Sequence, residues 1–372
     1  MAAPTVLHVL EALGGGTSRH LIDVVSHTPD VRHEVAVPRR RVGWLSDDSA
    51  VERLGEAGAR VHLVEMRRYP LHPRNAIALG AVRRLLASRR PDIVHGHSAV
   101  GGVLARVAAL GQPAPVVYTP NGLHPGRLAL AVERRLGRVT DRLLAVSESE
   151  GRLAVDLGIV PSQRLVIIPN GIDLEQLVEP FDLRERLGLG PRVPLVGTLG
   201  RLVPQKAPQD FIRACRLIAD VRADAHFVQI GTGVLLPEVE RAVVDAGLAA
   251  RFHRMDDFDA AAGVLGQLDV YVLASRYEGG PYTPLEAMRA GSPVVLTDVV
   301  GSRDVLVDGE SGLLVPPADP PAMARAVLAL LEDAGARRRL AAGGRQRLEE
   351  RFDVRAMGAA LAKLYAELAG RD

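Results

Sequence analysis

Short runs of valine, leucine and isoleucine recur along this 372-residue chain, and stretches with helical spacing separate them. Apolar runs of this length between helices are typical of parallel strands that are buried on both faces. The first half therefore predicts alternating strands and helices. The predicted strands are residues 6–10, 33–37, 60–64, 92–95, 116–119, 142–146 and 165–168, and the predicted helices lie near 17–27, 74–88, 99–110 and 127–137.

The same pattern restarts after a polar passage at residues 170–193 that carries proline and glycine. Two successive doubly wound units are therefore predicted, as an α/β fold of two facing Rossmann-like domains with a cleft between them. The expected domains are 1–170, completed by a C-terminal helix at 355–372, and 171–354. Further strands are predicted at 195–199, 226–230, 270–273 and 294–296, with helices at 208–221, 235–246, 320–332 and through 322–370, broken by the glycines at 335, 343, 344 and 358.

Composition narrows the class of protein. With 47% hydrophobic and 24% charged residues the chain is typical of a globular protein, and no apolar stretch approaches the roughly 18 residues of a membrane helix. The start of the chain has no basic segment of the kind that opens a secretory signal, and the single Cys215 excludes an intramolecular disulfide and a thiolate metal site. Aromatic residues, at 3%, are too few for nucleic-acid stacking platforms. We expect a cytoplasmic protein that binds no nucleic acid.

The basic residues are unevenly distributed. Residues 1–180 contain 22 arginines and no lysine against 18 acidic residues, whereas only Lys206 and Lys363 are lysines in the whole chain. Clustered arginines can contact anionic lipid headgroups on the inner face of a membrane, or a phosphorylated acceptor, although a solvated arginine-rich surface explains them equally. The clusters are Arg39–Arg41, Arg67–Arg68, Arg83–Arg84 and Arg89–Arg90.

Residues 278–286, EGGPYTPLE, place two carboxylates around a Gly/Pro-rich loop between two predicted strands. Ligands of open α/β sheets bind outside the carboxyl ends of the strands, so Glu278 and Glu286 are candidates for ligand contact. A structural alternative is a capping box, in which Thr283 is the N-cap, Pro284 the first helical residue, and Glu286 a first-turn residue that reaches back to the N-cap amide.

Two further glycine-bearing loops follow predicted strands. Gly14, Gly15 and Gly16 open a helix, where free amides and the helix dipole favour an anion, or where the glycines simply make a tight turn. In the second half, residues 197–206 bring Arg201 and Lys206 into one loop, which suits a diphosphate unless both cations are ordinary surface residues.

Candidate metal ligands are sparse. His95 and His97 close a predicted strand, so we expect one imidazole to face the ligand crevice and the other to face inward, but no carboxylate or cysteine follows at ligand spacing. Asp257 and Asp259 form a D-x-D sequence at a predicted helix start, where acidic residues are common. No metal site is predicted.

In combination these segments resemble the retaining glycosyltransferases of family 4, which have the GT-B fold. The resemblance extends over nearly the whole chain and depends on the order and spacing of several individually weak motifs. They are the GGG loop at 14–16, VHGHS at 94–98, AVSE at 145–148, IPNGID at 168–173, GRLVPQK at 200–206, the two glutamates of 278–286, and ESGLL at 310–314.

The resemblance implies a role for each matched residue. Glu286 would bind the ribose of a UDP- or GDP-type donor, and the nucleobase would lie against the backbone of Arg254 and Met255. Arg201 and Lys206 would neutralise the diphosphate, with the amides of Gly15 and Gly16. Glu278 would contact the sugar hydroxyls beside the amides of Gly279 and Gly280, and His97 would lie near the donor sugar and the acceptor.

The implied activity is transfer of a sugar from a nucleotide sugar to a lipid-linked or small-molecule glycoside, with retention, with no metal and with no cofactor beyond the donor. The sequence departs from the family at 279–284, GGPYTP, which could alter the sugar pocket, and at Ala207-Pro208, where glycine is usual after the lysine. Alternatives are a nucleotide-sugar epimerase and a non-catalytic protein that binds sugar nucleotides. A dinucleotide oxidoreductase is disfavoured because G-x-G-x-x-G is absent.

Overall fold

The structure, a computed structural model, describes residues 3–39, 49–68, 72–123, 126–176, 181–256 and 261–370. The chain divides into two compact units, an N-terminal unit of Met1–Gly171 with Val354–Asp372 and a C-terminal unit of Ile172–Asp353. Among the described residues no helix combines the length and apolar character needed to cross a bilayer. The Asp257-x-Asp259 sequence lies outside the described residues.

The N-terminal unit is built on a sheet of seven parallel strands in the order β3-β2-β1-β4-β5-β6-β7. The strands are β1 (Thr5–Val9), β2 (Arg32–Val37), β3 (Arg60–Leu63), β4 (Ile93–His97), β5 (Val116–Thr119), β6 (Arg142–Ala145) and β7 (Leu165–Ile167). The helices are α1 (Gly16–Ser26), α2 (Ala50–Glu56), α3 (Arg74–Arg89), α4 (Ala99–Ala108), α5 (Arg127–Gly137), α6 (Glu148–Asp156) and, from the end of the chain, α14 (Val354–Leu368).

Apolar side chains of this sheet are buried in separate clusters. Val94 belongs to a cluster with Leu104 of α4, whereas Val6 and Val117 belong to another with Leu361 and Tyr365 of α14. This burial on both faces explains why the strands are apolar runs without an alternating polar face.

The C-terminal unit repeats the plan with six parallel strands in the order β10-β9-β8-β11-β12-β13. The strands are β8 (Leu195–Leu199), β9 (His226–Ile230), β10 (Phe252–Met255), β11 (Val270–Leu273), β12 (Val294–Thr297) and β13 (Leu313–Val315). The helices are α7 (Leu183–Arg186), α8 (Pro208–Val221), α9 (Leu236–Asp245), α10 (Ala261–Leu265), α11 (Tyr282–Arg289), α12 (Pro320–Glu332) and α13 (Ala334–Arg351).

The predicted fold class of two Rossmann-like parallel-sheet units is confirmed, and the predicted strands match observed ones to within two residues at each end. Two edge strands, β10 and β13, were not predicted, because FHRM carries two polar residues and β13 is only three residues long. The prediction that glycines break the C-terminal helices is wrong, since Gly335, Gly343 and Gly344 lie inside α13 and Gly358 lies inside α14. A Cβ on Gly343 would collide with the carbonyl oxygen of Glu310, so close packing explains that glycine.

Two helical glycines give a matched test of this packing. Gly358→Ala places a Cβ well inside van der Waals distance of the His27 carbonyl oxygen, and we expect it to destabilise the protein by about 1–3 kcal/mol. Gly80→Ala in α3 meets only the end of Arg84, at 4.0 Å, and should stabilise by about 0.5–1 kcal/mol through helix propensity. Urea unfolding measures both changes, and equal effects would contradict the packing argument.

Candidate functional site

In the C-terminal unit the candidate site lies at the topological switch point of the sheet. Strands β8 and β11 are neighbours, yet the chain continues from β8 to β9 on one side and from β11 to β12 on the other. The loops that follow β8 and β11 therefore leave the same edge of the sheet in opposite directions, which opens a crevice in folds of this type. Arg201 and Lys206 belong to the first loop, and Glu278 belongs to the second.

A short ion pair joins these two loops. Lys206 Nζ donates to Glu278 Oε1 at 2.6 Å, and the two side chains are only 15% and 7% exposed. The same carboxylate oxygen accepts from Ser275 Oγ at 2.5 Å, and Gln205 Nε2 donates to the Tyr277 carbonyl at 3.0 Å. Because an ammonium has three donors, Lys206 can hold Glu278 and still donate to an anion.

Each of the two loops also carries an arginine. Arg201 is half-buried and lines a small pocket with Gly200, Lys206 and the buried Gln229. Arg276, in the second loop, forms an ion pair with Asp210 of α8. Local sequence shows neither the Arg276–Asp210 pair nor the Gln205–Tyr277 contact, since each joins residues far apart along the chain, whereas Ser275 lies only three residues before Glu278.

The capping-box alternative for Glu286 is wrong. Helix α11 begins at Tyr282 with Pro281 as its N-cap and with no side-chain cap, so Glu286 is the fifth helical residue and does not lie in the first turn. The hydroxyl of Thr283 instead accepts from Tyr271 Oη at 2.8 Å. Burial raises the pKa of Tyr271, and the negative charges of Glu286 and Glu278 raise it further.

The remaining candidates of this unit lie near the same edge of the sheet. Gly279 is buried against Gly301, where an added Cβ would stand 2.5 Å from the Gly279 carbonyl oxygen, and Gly280 is half-buried. Arg254 and Met255 end β10; the Met255 carbonyl accepts from Gly231 N at 2.7 Å, and Arg254 forms ion pairs with Glu240 and Asp256. The structure thus places all of these residues on loops or strand ends of one unit.

The N-terminal unit has its own switch point, between β1 and β4. After β1, Gly15 adopts a φ of 68° and is the N-cap of α1, and both Gly15 and Gly16 are exposed. After β4, Ser98 adopts a φ of 61°, which costs a residue other than glycine about 1–3 kcal/mol. Glu11 holds this turn, because its carboxylate accepts from Ser98 Oγ at 2.9 Å and from Gly101 N at 2.8 Å.

His97 ends β4 and lies within a buried cluster of imidazoles. The prediction that His95 and His97 face opposite ways is wrong, because residues two apart share one side of a strand and their rings stack at 4.0 Å between centroids. His8 of β1 pairs with His95 in the strand register. The cluster comprises His8, His20, His33, His95 and His97, and the relative exposure of each is 6% or less.

Every ring of the cluster forms at least one hydrogen bond. His97 Nε2 lies 2.9 Å from His8 Nδ1, and His8 Nε2 lies 3.0 Å from His33 Nδ1. His95 bonds through both nitrogens, to Tyr365 Oη at 2.7 Å and to Thr119 Oγ1 at 2.8 Å. His20 Nδ1 lies 2.9 Å from Asn170 Oδ1.

All five rings are neutral because burial disfavours the imidazolium. Burial lowers the pKa of His20 and of His33 to about 4, and it lowers the pKa values of His8, His95 and His97 well below their usual range, with neighbouring histidines adding to the effect.

His8, His95 and His97 are close enough together to be possible metal ligands, since one nitrogen of each lies within 4.8 Å of the others. Metal binding there would break one of the two hydrogen bonds of His8 and one of the two of His95. Hydrogen bonds already engage both nitrogens of His8 and of His95 without a metal, and only Nδ1 of His97 has no partner among the described residues. His8 joins the trio through strand pairing, which local sequence spacing does not reveal.

Comparison with known proteins identifies the class to which this site belongs. Residues 14–176 match the family described as Glycosyltransferase Family 4, and residues 193–333 match the one described as Glycosyl transferases group 1. The chain is 30% identical to the D-inositol 3-phosphate glycosyltransferase of Xylanimonas cellulosilytica, over 75% of this chain and 73% of that protein. The chain therefore belongs to the family 4 glycosyltransferases and is a glycosyltransferase enzyme of the GT-B fold.

Other similar proteins differ in acceptor and donor. The chain is 28% identical to the UDP-Gal:alpha-D-GlcNAc-diphosphoundecaprenol alpha-1,3-galactosyltransferase of Escherichia coli, over 69% of this chain and 70% of that protein. Anabaena Alr3699/HepE, solved in complex with UDP-glucose, has a similar fold, with a TM-score of 0.84, 19% identity and coverage of 98% and 99% of the two chains. Sucrose-phosphate synthase from Thermosynechococcus elongatus has a TM-score of 0.83 at 19% identity, with coverage of 99% and 100%.

The neutral histidines predict a loss of stability in mild acid. A ring with a lowered pKa takes up a proton more readily in the unfolded chain than in the folded protein. Its contribution to the free energy of unfolding is therefore complete above pH 6.5 and declines as the pH falls towards 4. His20 and His33 alone should each cost about 2 kcal/mol of unfolding free energy between pH 7 and pH 5. Urea unfolding at the two pH values measures this loss.

His20→Asn should reduce the loss of unfolding free energy between pH 7 and pH 5 by about 2 kcal/mol, the amount expected for one buried ring. His72→Asn, which changes a histidine outside the cluster, should not reduce it. Equal unfolding free energies at pH 7 and pH 5 for the unmodified protein would contradict burial of neutral rings.

Proposed function

We propose that this enzyme transfers a sugar, with retention of configuration, from a nucleoside-diphosphate sugar to a phosphate-bearing or lipid-linked glycoside acceptor. The observation that carries the proposal is the buried Lys206–Glu278 pair at the switch point of the C-terminal sheet. It joins a cation suited to a diphosphate with a carboxylate suited to sugar hydroxyls. The UDP and UDP-glucose complexes of Anabaena Alr3699/HepE support a uridine donor in particular.

In this mechanism the two cations of the first loop stabilise the leaving group. Breaking the bond between the anomeric carbon and the diphosphate leaves the electron pair on a diphosphate oxygen. Lys206 and Arg201 lie in one loop and line one small pocket, so both cations are available from the same loop to stabilise that developing negative charge. We therefore propose that the reaction needs no divalent metal.

Glu278 would orient the donor sugar. Ser275 and Lys206 fix its carboxylate, so it can accept from sugar hydroxyls in one orientation only. The amides of Gly279 and Gly280 would lie beside those hydroxyls, and Glu286 on α11 would accept from the ribose. Arg254 and Met255 would provide backbone contacts for the base.

Retention follows if the acceptor attacks the face that the diphosphate leaves. The acceptor oxygen then forms the new bond to the anomeric carbon, and its proton passes to the departing diphosphate oxygen. The fixed cations stabilise the charge on that oxygen until it takes up the proton.

The acceptor class follows from charge. Arg83 and Arg84 are exposed on α3 of the N-terminal unit, and the names of two relatives specify a diphosphoundecaprenol-linked and an inositol-phosphate acceptor. Both acceptors carry phosphate, which clustered arginines bind well. Peripheral contact of these arginines with an anionic membrane is part of the same proposal.

Nucleotide binding tests the donor site. Among UDP, GDP and dTDP, calorimetry should find one nucleotide, UDP by our proposal, that binds more tightly than the others. Glu286→Gln should weaken that binding about tenfold or more, because a charge-assisted hydrogen bond to ribose is lost. Glu238→Gln, a carboxylate of α9 in the same unit, is the matched control and should bind normally. Binding of no nucleotide would overturn the proposal.

The two lysines of the chain provide a matched test of leaving-group stabilisation. Lys206→Gln should lower kcat about 10²–10³-fold, as expected for removal of a group that stabilises transition-state charge. Lys363→Gln, whose side chain is 78% exposed on α14, should leave kcat unchanged. Transfer from UDP-glucose or UDP-galactose is measured with and without EDTA. A chelator-sensitive rate, or equal rates for the two variants, would contradict the roles proposed here.

A further inference from the structure

The histidines of the N-terminal unit form a hydrogen-bonded relay with a fixed direction. We define the relay as Thr28, His33, His8 and His97. Thr28 Oγ1 donates its only proton to the Val24 carbonyl at 2.6 Å, so it can only accept from His33 Nε2, which lies 2.9 Å away. The Thr28 carbonyl, 3.4 Å from the same nitrogen, also requires a donor there.

This first step sets the tautomer of every ring that follows. A neutral imidazole carries one proton, so His33, with its proton on Nε2, has a bare Nδ1 that must accept from His8 Nε2. His8 then has a bare Nδ1, which must accept from His97 Nε2. His97 is therefore left with a proton on Nε2 and a lone pair on Nδ1.

The Nδ1 atom of His97 is buried and has no hydrogen-bond partner among the described residues. We propose that the relay fixes His97 as the Nε2–H tautomer, so that its Nδ1 accepts a hydrogen bond from a hydroxyl group of the substrate. The fixed tautomer follows from the contacts alone, whereas the assignment of the hydroxyl rests on the proposed function. His8, His33 and Thr28 are positioning residues in this scheme.

A second lone pair points to the same ligand chemistry. His20 Nδ1 faces the Asn170 amide oxygen and must donate to it, so His20 Nε2 is bare, and it too is buried without a partner among the described residues. The His20 and His97 ring centroids are 5.7 Å apart. Two nearby acceptors favour a ligand with several O–H donors and disfavour carbonyl or phosphate oxygens.

The relay is unsuited to proton transport. Its far end is the carbonyl oxygen of Val24, which does not take up a proton, and each ring has a lowered pKa. Its effect is to hold the His97 lone pair in one state. Such fixing of a tautomer by a partner on the opposite nitrogen is a recognised way to set the role of a histidine.

Nitrogen NMR of histidine-labelled protein tests the tautomer without any substrate. Long-range proton–nitrogen correlations should assign His97, His8 and His33 all as Nε2–H, with each Nδ1 at the shift of a lone-pair nitrogen. A proton on His97 Nδ1 would overturn the inference, even if the enzyme proves to be a transferase that uses UDP-sugars.

Substitutions at His33 test the relay through function. His33→Leu removes the acceptor that orients His8, so His97 can adopt the other tautomer, and we expect the rate of sugar transfer to fall about tenfold. His33→Asn restores an acceptor oxygen close to the position of Nδ1 and should recover most of the rate. Tyr365→Phe removes a hydroxyl from His95, in the same core but outside the relay, and should leave the rate unchanged.

Thermal denaturation separates this effect from simple damage to the core. If His33→Asn is as slow as His33→Leu at equal melting temperature, the relay does not control His97.

Deoxy analogues distinguish the two sources of the hydroxyl. With UDP-glucose as donor, UDP-deoxyglucose analogues lacking one hydroxyl each are compared with acceptor analogues modified in the same way. The analogue that lacks the bound hydroxyl should lose about tenfold in kcat/KM with the unmodified enzyme, and the loss should be much smaller with His33→Leu. Absence of any such coupling would refute hydroxyl recognition by His97, whereas failure of UDP, GDP and dTDP alike to bind would refute the proposed function and leave the tautomer result standing.

Discussion

The parallel arrangement of the two sheets is the constraint on which the rest of the structure depends. Parallel strands require crossovers, and all carboxyl ends of the strands then lie at one edge. Where the crossovers of two neighbouring strands run in opposite directions, the loops that follow these strands diverge and leave a crevice in which a ligand can bind. In this chain most of the candidate residues lie at the two switch points, β1 with β4 and β8 with β11. Sheet topology thus brings together groups that are distant in sequence, such as Lys206 and Glu278.

The two switch points are stabilised by opposite electrostatic means. In the C-terminal unit a buried carboxylate is paired with an ammonium 2.6 Å away and accepts a hydrogen bond from a hydroxyl. Removal of either charge would leave the other uncompensated, which typically costs about 3–5 kcal/mol. In the N-terminal unit five buried imidazoles avoid that cost by staying neutral and by bonding to one another, to hydroxyls and to an amide. The first arrangement supplies charge to a ligand, and the second supplies lone pairs.

Much of the fold was predictable because strands that are buried on both faces of a parallel sheet appear in the sequence as short apolar runs. Runs such as 195–199 (LVGTL) and 270–273 (VYVL) are mostly apolar, and they predict these two strands to the residue. The missed strand β10 lies at a sheet edge, where three of its four residues are only half-buried and FHRM needs no apolar run. Glycine was misinterpreted in the C-terminal helices because sequence shows its backbone freedom but does not show the neighbouring chain that it admits.

The candidate site was predictable only as far as its motifs are local. Loop 200–206 and segment 278–286 were found from glycine, proline and charge, and the structure adds that Lys206 and Glu278 touch. The capping box failed because Pro281 and Tyr282 start α11 two residues early, which leaves Thr283 to Tyr271. Nothing local connects His33 with His97, since two strand pairings and His8 lie between them.

That last case shows what kind of information the tertiary structure adds. The sequence names His97, but a histidine can donate, accept or carry a charge, and these roles have different chemical consequences. The choice is made by Thr28, whose hydroxyl is committed to a helix carbonyl and so leaves only one proton arrangement for three rings in succession. Thr28, which is far from the end of β4, therefore determines whether Nδ1 of His97 donates or accepts a hydrogen bond. A substitution at Thr28 or His33 that preserved the packing could change Nδ1 from an acceptor to a donor, although the sequence around His97 would be unchanged.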